Sequence, residues 1–134
     1  MRSNSSVINV YKKNNIKSEV VTQLLYGDTF KKIKKKGPWI KIKNDLDHYK
    51  GFIKNKKFPS NQKDTHKIYK LYANLYSKPS LKSKIRKKLS FGSKIKIIEK
   101  KNNFCKFDNL WIKKRDLKKI NYKTKNIFKN INQF

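Results

Sequence analysis

The chain has 134 residues, a formal net charge of +29 and 36% hydrophobic residues. This length suits one ordinary domain or two very small ones, and the modest apolar share predicts small cores. The eight Phe, seven Tyr and two Trp argue against a disordered chain. The one cysteine, Cys105, excludes an intramolecular disulfide and a Cys-rich metal site.

The positive charge suggests an anionic partner, such as nucleic acid, an acidic glycopolymer or a membrane surface. However, only Arg2, Arg86 and Arg115 are arginines among the 37 basic residues. Lys, Asn and Ile share AT-rich codons, so a base bias of the genome also accounts for the composition. Proteins that read nucleic-acid sequence rely on the bidentate Arg fork, which Lys does not supply.

The N-terminal segment "MRSNSSVINVYKKNN" has no apolar run of the kind found in signal peptides. No stretch approaches the roughly 18 apolar residues that a membrane span needs. We therefore expect a cytoplasmic protein without a membrane span, while an exported protein or a fragment of a longer one stays open.

Short strands and tight turns are predicted along the chain. Tyr26-Gly27-Asp28 marks a turn, "TFKKIKKKG" and "WIKIKN" read as strands, and "KGPW" reads as the turn between them. In "WIKIKN", Ile40 and Ile42 fall on one face and Trp39 on the other. "SKIKIIEK" repeats this strand pattern later in the chain.

An internal repeat links these segments. At a constant offset of 65 residues, Asn9 meets Asn74, Leu24 meets Leu89 and Gly27 meets Gly92. Further matched pairs are Tyr11 with Tyr76, Lys17-Ser18 with Lys82-Ser83, Tyr26 with Phe91, Phe30 with Ile95, Trp39 with Phe104, Ile42 with Phe107 and Asn44 with Asn109. The register breaks at the extra "DLDHYKG" of the first copy and resumes where Phe52-Ile53-Lys54 meets Trp111-Ile112-Lys113. Two units of roughly 50 residues follow.

The segment 80–89, "SLKSKIRKKL", is the best candidate for a helix, because Leu81, Ile85 and Leu89 are spaced by four. Its counterpart contains Val20-Val21-Thr22, which favours a strand. We interpret both segments as loops that run into strands. Each unit then holds four or five short antiparallel strands, which a small barrel closes economically.

The order of motifs resembles bacterial SH3-like domains. The residues that carry this resemblance are Asn9-Val10-Tyr11, Gly27-Asp28-Thr29-Phe30, Trp39-Ile40-Lys41-Ile42 and Gly51-Phe52-Ile53. The second copy departs from the pattern, with Phe104 in place of the Trp and Leu110 in place of the last Gly. The first copy is also similar to the N-terminal part of NlpC-type peptidases, γ-D-glutamyl-diamino acid endopeptidases (dipeptidyl-peptidase type) that act on cell-wall peptides.

The resemblance implies an all-β chain with two tandem small SH3-like barrels. We expect the first barrel at 5–58, a linker at 59–67, the second barrel at 68–120, and a tail or the start of a further domain at 121–134. The implied function is a non-catalytic module that binds or positions cell-wall peptide (a peptidoglycan fragment), with a peptidase domain as a further partner. The alternative is a Lys-rich barrel that binds nucleic acid.

The catalytic context of the family is not visible in this chain. Cys105 lies in "NNFCKFDN" at the counterpart of Ile40 and is expected to be a buried strand residue, while His48 and His66 fall in a loop and the linker. A Cys–His pair stays a minor alternative. Two His and one Cys fall short of a structural zinc site. We therefore expect no enzyme, no metal and no cofactor.

By the same resemblance, ligands are expected across exposed aromatic side chains. The predicted ligand-binding residues are Tyr11, Trp39, Lys41, Tyr49 and Tyr76. We expect those four aromatic residues to be partly exposed, and Phe30, Phe52, Phe107 and Trp111 to belong mostly to the cores. A solvated strand face is the competing interpretation for Lys41 and Lys43.

Overall fold

The computed structural model describes residues 1–123 and is built almost entirely of strands. The first barrel contains β1 (Val7–Tyr11), β2 (Val20–Leu25), β3 (Phe30–Lys36), β4 (Trp39–Asn44) and β5 (Lys50–Lys54). These strands form one antiparallel sheet in the order β2-β1-β5-β4-β3. The all-β expectation with SH3-like barrels is confirmed. The predicted tail at 121–134 lies mostly outside the described residues.

The second barrel repeats this topology. Its strands are β6 (His66–Ile68), β7 (Tyr72–Tyr76), β8 (Ile85–Ser90), β9 (Lys94–Ile95), β10 (Glu99–Lys101), β11 (Phe104–Phe107), β12 (Leu110–Lys113) and β13 (Leu117–Lys119), with a 3₁₀ helix (Lys114–Asp116) before β13. The order β10-β11-β12-β7-β8 mirrors the first sheet strand by strand, and β13-β6-β9 adds a small second sheet. β6 begins within the segment that the sequence assigned to the linker, because it pairs with β13.

Residues that the repeat pairs with each other are core residues in both barrels. Val10, Leu24, Phe30, Ile40, Ile42 and Ile53 form the first core, and their counterparts Leu75, Leu89, Ile95, Cys105, Phe107 and Ile112 belong to the second. A bulge between Val10 and Tyr11 recurs between Leu75 and Tyr76. Burial explains the constant spacing between the two repeats, because a shift of one residue would turn every core side chain outward.

The loop-to-strand interpretation of segment 80–89 is confirmed, since β8 begins at Ile85 and no helix forms there. At the edge of the first sheet, β3 carries exposed lysines from Lys31 to Lys36. Its only fully buried side chain is Phe30. Lysine on an edge strand discourages pairing with further strands.

The two barrels meet through the turn at residues 26–28. The Tyr26 ring belongs to the core cluster of the second barrel and packs edge-on against Phe107, with ring centroids 5.6 Å apart. Its hydroxyl donates a hydrogen bond to the Asp108 carboxylate. The backbone N–H of Lys94 donates to the Tyr26 carbonyl at 2.8 Å, and Lys94 Nζ lies 3.5 Å from the Asp28 carboxylate. The barrels therefore share apolar, hydrogen-bonded and ionic contacts.

Candidate functional site

Three aromatic side chains lie together on the outer face of the first sheet. Tyr11 follows the buried Val10 in β1, so the alternation of side chains along the strand places it on this face, where it lies opposite Phe52 of β5. The Tyr11 and Trp39 rings meet edge-on, with centroids 5.9 Å apart and planes at 89°. Tyr11 is half-buried, whereas Trp39 is only 6% exposed. This aromatic triad forms a small apolar centre separate from the barrel core.

Two lysines border the aromatic triad. Lys54 lies opposite Trp39 in the strand register, and its Nζ is 4.6 Å from a Trp39 ring centroid. Lys41 Nζ lies 6.0 Å from the Phe52 ring centroid. An ammonium over an aromatic face is attracted by the ring quadrupole and stays available to a carboxylate. The face thus offers apolar surface next to two positive charges.

A groove of about 290 Å³ runs beside the triad. Its lining combines one strand edge, the loop after β1 and the segment after β5: Val7, Ile8, Asn9, Tyr11, Ile16, Lys54, Lys56 and Phe58. The loop that carries Ile16 is closed by a backbone N–H of Lys13 that donates to the Ser18 hydroxyl at 2.9 Å. Lys78 and Ser83 make the same bond at 3.4 Å in the second barrel. The serine of the repeated Lys-Ser pair therefore closes the first loop in both barrels.

The second barrel has an equivalent triad. Tyr76, Phe104 and Trp111 form one buried cluster. Tyr76 and Phe104 meet edge-on with centroids 5.6 Å apart. Lys106 Nζ lies 5.8 Å from the Trp111 ring centroid. A groove of about 660 Å³ in this barrel is lined in part by Leu81 and Lys113, the counterparts of Ile16 and Lys54.

The structure brings three of the five predicted ligand-binding residues, Tyr11, Trp39 and Lys41, onto one sheet face. Tyr49 is 58% exposed in the loop before β5, and Tyr76 belongs to the other barrel. The expected partial exposure is wrong for Trp39 and for Tyr76, which is 4% exposed. The reason is edge-on packing within each triad, which covers both rings. The expected burial of Phe30, Phe52, Phe107 and Trp111 is confirmed, although Phe52 and Trp111 lie in the aromatic triads and not in the barrel cores.

The sequence analysis missed Ile16 and Lys54, which line the groove of the first barrel. A signal for both was present. Ile16 and Leu81 are paired apolar residues in otherwise polar loops, and the second repeat register pairs Lys54 with Lys113. Repeated apolar residues at exposed positions therefore indicated the groove better than single aromatic residues did.

Cys105 is buried in β11, as predicted. Burial raises the pKa of its thiol, and nearby Lys100 and Lys114 only partly offset this effect. Cys105 and His66 line the same cavity, but a raised pKa is the reverse of what a thiolate nucleophile needs. No group of three or more His, Cys, Asp or Glu side chains suited to a metal ion occurs within residues 1–123.

Comparisons with known proteins match both the first barrel and the whole fold. Residues 5–58 match the family model described as bacterial SH3 domain, which confirms the resemblance inferred from the sequence. A crystal structure of an NlpC/P60 family protein from Bacillus cereus ATCC 10987 shares the fold over 92% of this chain, with a TM-score of 0.67 and 18% identity. The chain spans 56% of that protein. No curated protein matches.

Among residues 1–123, no helix is long and apolar enough to cross a membrane.

Proposed function

We propose that this chain is a non-catalytic module that binds cell-wall peptide and positions it for a peptidase domain. The observation that carries the proposal is the bacterial SH3 domain match at residues 5–58, extended by the fold shared with an NlpC/P60 protein over both barrels. The first barrel, through its aromatic triad and groove, is the binding face in this proposal.

The chemistry of this face suits a short peptide that carries carboxylates. Tyr11 and Ile16 supply apolar surface in the groove, and Lys54 supplies a positive charge at its edge. A peptide places small apolar groups against such surface while its carboxylates pair with lysine. Exposed ion pairs contribute little in water, so the apolar contacts should carry much of the affinity.

The first experiment is co-sedimentation of the purified chain with insoluble peptidoglycan at low and high salt, with duplex DNA as competitor. We expect retention to persist at high salt and to resist the DNA, because apolar contacts are not screened by ions. Retention that disappears with salt, or that moves to the DNA, would overturn the proposal in favour of a nucleic-acid-binding barrel.

Matched variants locate the binding face. Ile16→Ala removes an aliphatic side chain that is 65% exposed and lines the groove, whereas Leu46→Ala removes one that is 71% exposed and lies outside its lining. Neither change opens a core. Ile16→Ala should weaken retention roughly threefold to tenfold, because the three carbon atoms that it removes would be only partly buried against the ligand. Equal retention by the two variants would place the ligand elsewhere. Tyr49→Ala tests the predicted role of Tyr49 in the same assay.

A further inference from the structure

The groove of the second barrel continues into a neighbouring cavity. The first part, of about 660 Å³, is lined by Leu81, Asn103, Lys113, Lys114, Arg115, Leu117 and Lys118. The second part, of about 440 Å³, is lined by His66, Lys100, Cys105, Lys114, Leu117, Lys118, Lys119, Asn121 and Tyr122. Lys114, Leu117 and Lys118 belong to both linings, so the two parts form one channel-like surface, which we name the basic groove.

No acidic side chain lines the basic groove within the described residues. Residues 123–134 also contain no Asp or Glu. This segment therefore supplies no side-chain anion to neutralise this surface. A concentration of like charges in a concave surface raises the local potential and favours an anionic occupant.

The pKa of His66, which lines the groove, responds to this positive potential. Burial lowers the pKa of its imidazole, and the charges of Lys100 on β10 and Lys119 on β13 lower it further. Its Nδ1 lies 2.8 Å from the Thr65 hydroxyl. The positive surroundings thus already disfavour a proton on this ring, and an anion that enters the groove should reverse part of the effect.

The two barrels differ in the charges around their equivalent grooves. Ile16 and Lys54 of the first groove correspond to Leu81 and Lys113 of the second. Only the second barrel adds the 3₁₀ helix with Lys114 and Arg115, followed by β13 with its two lysines. Both grooves keep the apolar position, but the first is lined by two cations, Lys54 and Lys56, and the second by four: Lys113, Lys114, Arg115 and Lys118.

We propose that the basic groove binds a linear polyanion of repeating phosphodiester groups without bases, such as a polyol-phosphate polymer. An extended groove fits a chain better than a single anion, and lysine binds phosphate as a point charge. Bases would need exposed aromatic faces for stacking. Phe104 and Trp111 are buried. Tyr122 lines the groove and is 38% exposed, but Lys118 Nζ lies over its ring at 5.0 Å and the ring packs edge-on against Tyr69. This site is additional to the peptide-binding face proposed for the first barrel.

Titration of the two histidines by NMR tests the proposal with poly(glycerol phosphate) as the probe. The polymer should raise the pKa of His66, because its phosphates offset the charges of Lys100 and Lys119. At a fixed pH, addition of the polymer should leave the resonances of His48, in the loop before β5 of the first barrel, unchanged, and they serve as the internal control. An unchanged His66 titration at saturating polymer would overturn the assignment of the groove.

A pair of double variants with equal net charge separates the groove from general attraction. Lys114→Ala with Lys118→Ala removes the two exposed lysines shared by both parts of the groove, and Lys34→Ala with Lys36→Ala removes two exposed lysines of β3. The first pair should weaken polymer binding roughly threefold to tenfold, and the second pair by less than about twofold. Equal weakening of polymer binding by the two pairs would mean that the overall charge attracts the polymer and that the groove is not a specific site. Tighter binding of oligothymidylate at equal phosphate concentration would make the groove a nucleic-acid site and refute the proposal.

Discussion

Substitution of Gly27 by alanine is a sharp test of how the two barrels pack. The φ of Gly27 is +88°, a backbone region that residues with a side chain rarely adopt. A Cβ atom built on Gly27 would lie 2.2 Å from the backbone carbonyl oxygen of Lys94 in the second barrel. That carbonyl does not rotate away like a side chain, and the neighbouring Lys94 N–H is fixed by its bond to the Tyr26 carbonyl. Gly27→Ala therefore forces the barrels apart at the turn.

The repeat supplies a matched control in Gly92. This residue occupies the equivalent turn of the second barrel with a φ of +90°. The nearest atom to a Cβ there would be Leu25 Cδ1 at 3.7 Å, an ordinary van der Waals distance. Gly92→Ala thus carries the same backbone cost as Gly27→Ala but causes no overlap between the barrels.

The two free-energy changes can be estimated separately. Both alanines meet the left-handed penalty of about 1–2 kcal/mol. Only Gly27→Ala adds the overlap, about 1–3 kcal/mol for an overpacked site, and the loss of the bond from Lys94 to Tyr26, about 1 kcal/mol. We expect Gly27→Ala to lower the free energy of unfolding by about 2–4 kcal/mol more than Gly92→Ala does.

Urea denaturation of the wild-type chain and both variants measures this difference, with circular dichroism and tyrosine fluorescence as probes. Non-coincident transitions in Gly27→Ala would show the barrels unfolding separately, as expected if the turn couples them. Equal free energies of unfolding for the two variants, with unchanged cooperativity, would refute the packing described for residues 26–28.

Two further predictions concern buried titratable side chains. Burial, followed by the hydrogen bond to Asp108, raises the pKa of Tyr26 far above its ordinary value, so its stabilising effect is complete below about pH 10 and is lost as the pH rises further. Tyr26→Phe should flatten this alkaline loss in urea denaturation, and an unchanged profile would exclude Tyr26 as its source. Because Cys105 is 1% exposed and burial raises its pKa, a thiol reagent should label the native chain far more slowly than the urea-unfolded chain, and equal rates would contradict the burial.

The sequence predicted most of the strands and the cores, because both follow from local patterns. The exception is "SKIKIIEK", which is divided between β9 and β10 in two different sheets. The alternation in "WIKIKN" and the offset between Leu24 and Leu89 each reflect burial within one barrel. Such burial depends on residues close in the chain or related by the repeat. The position of Cys105 in the core followed from its pairing with Ile40 for the same reason.

The contact between the barrels did not follow from the sequence. Tyr26 and Phe91 are equivalent in the repeat, yet Tyr26 is 3% exposed within the second barrel's core cluster and Phe91 is 50% exposed. The residue pattern within one repeat gives no information on where the other barrel packs. The burial of Trp39 was missed for a similar reason, since it depends on the edge-on approach of Tyr11 across the sheet.

The repeat gives the chain two related barrels, and the contacts between them fix the position of one groove relative to the other. Each barrel keeps the same bulge, the same serine bond in its first loop and an equivalent aromatic triad. Each also has a groove lined by one apolar residue of that loop and one lysine of the matching strand. The grooves differ because the second barrel adds lysines from the 3₁₀ helix and β13. The turn at Tyr26 holds the two grooves at a set separation, which a flexible linker would not do. Under the two binding proposals, sites of different ligand chemistry would act on one polymeric surface at high effective concentration, provided their spacing matches that surface. A rigid junction would then favour surfaces that present both ligands together.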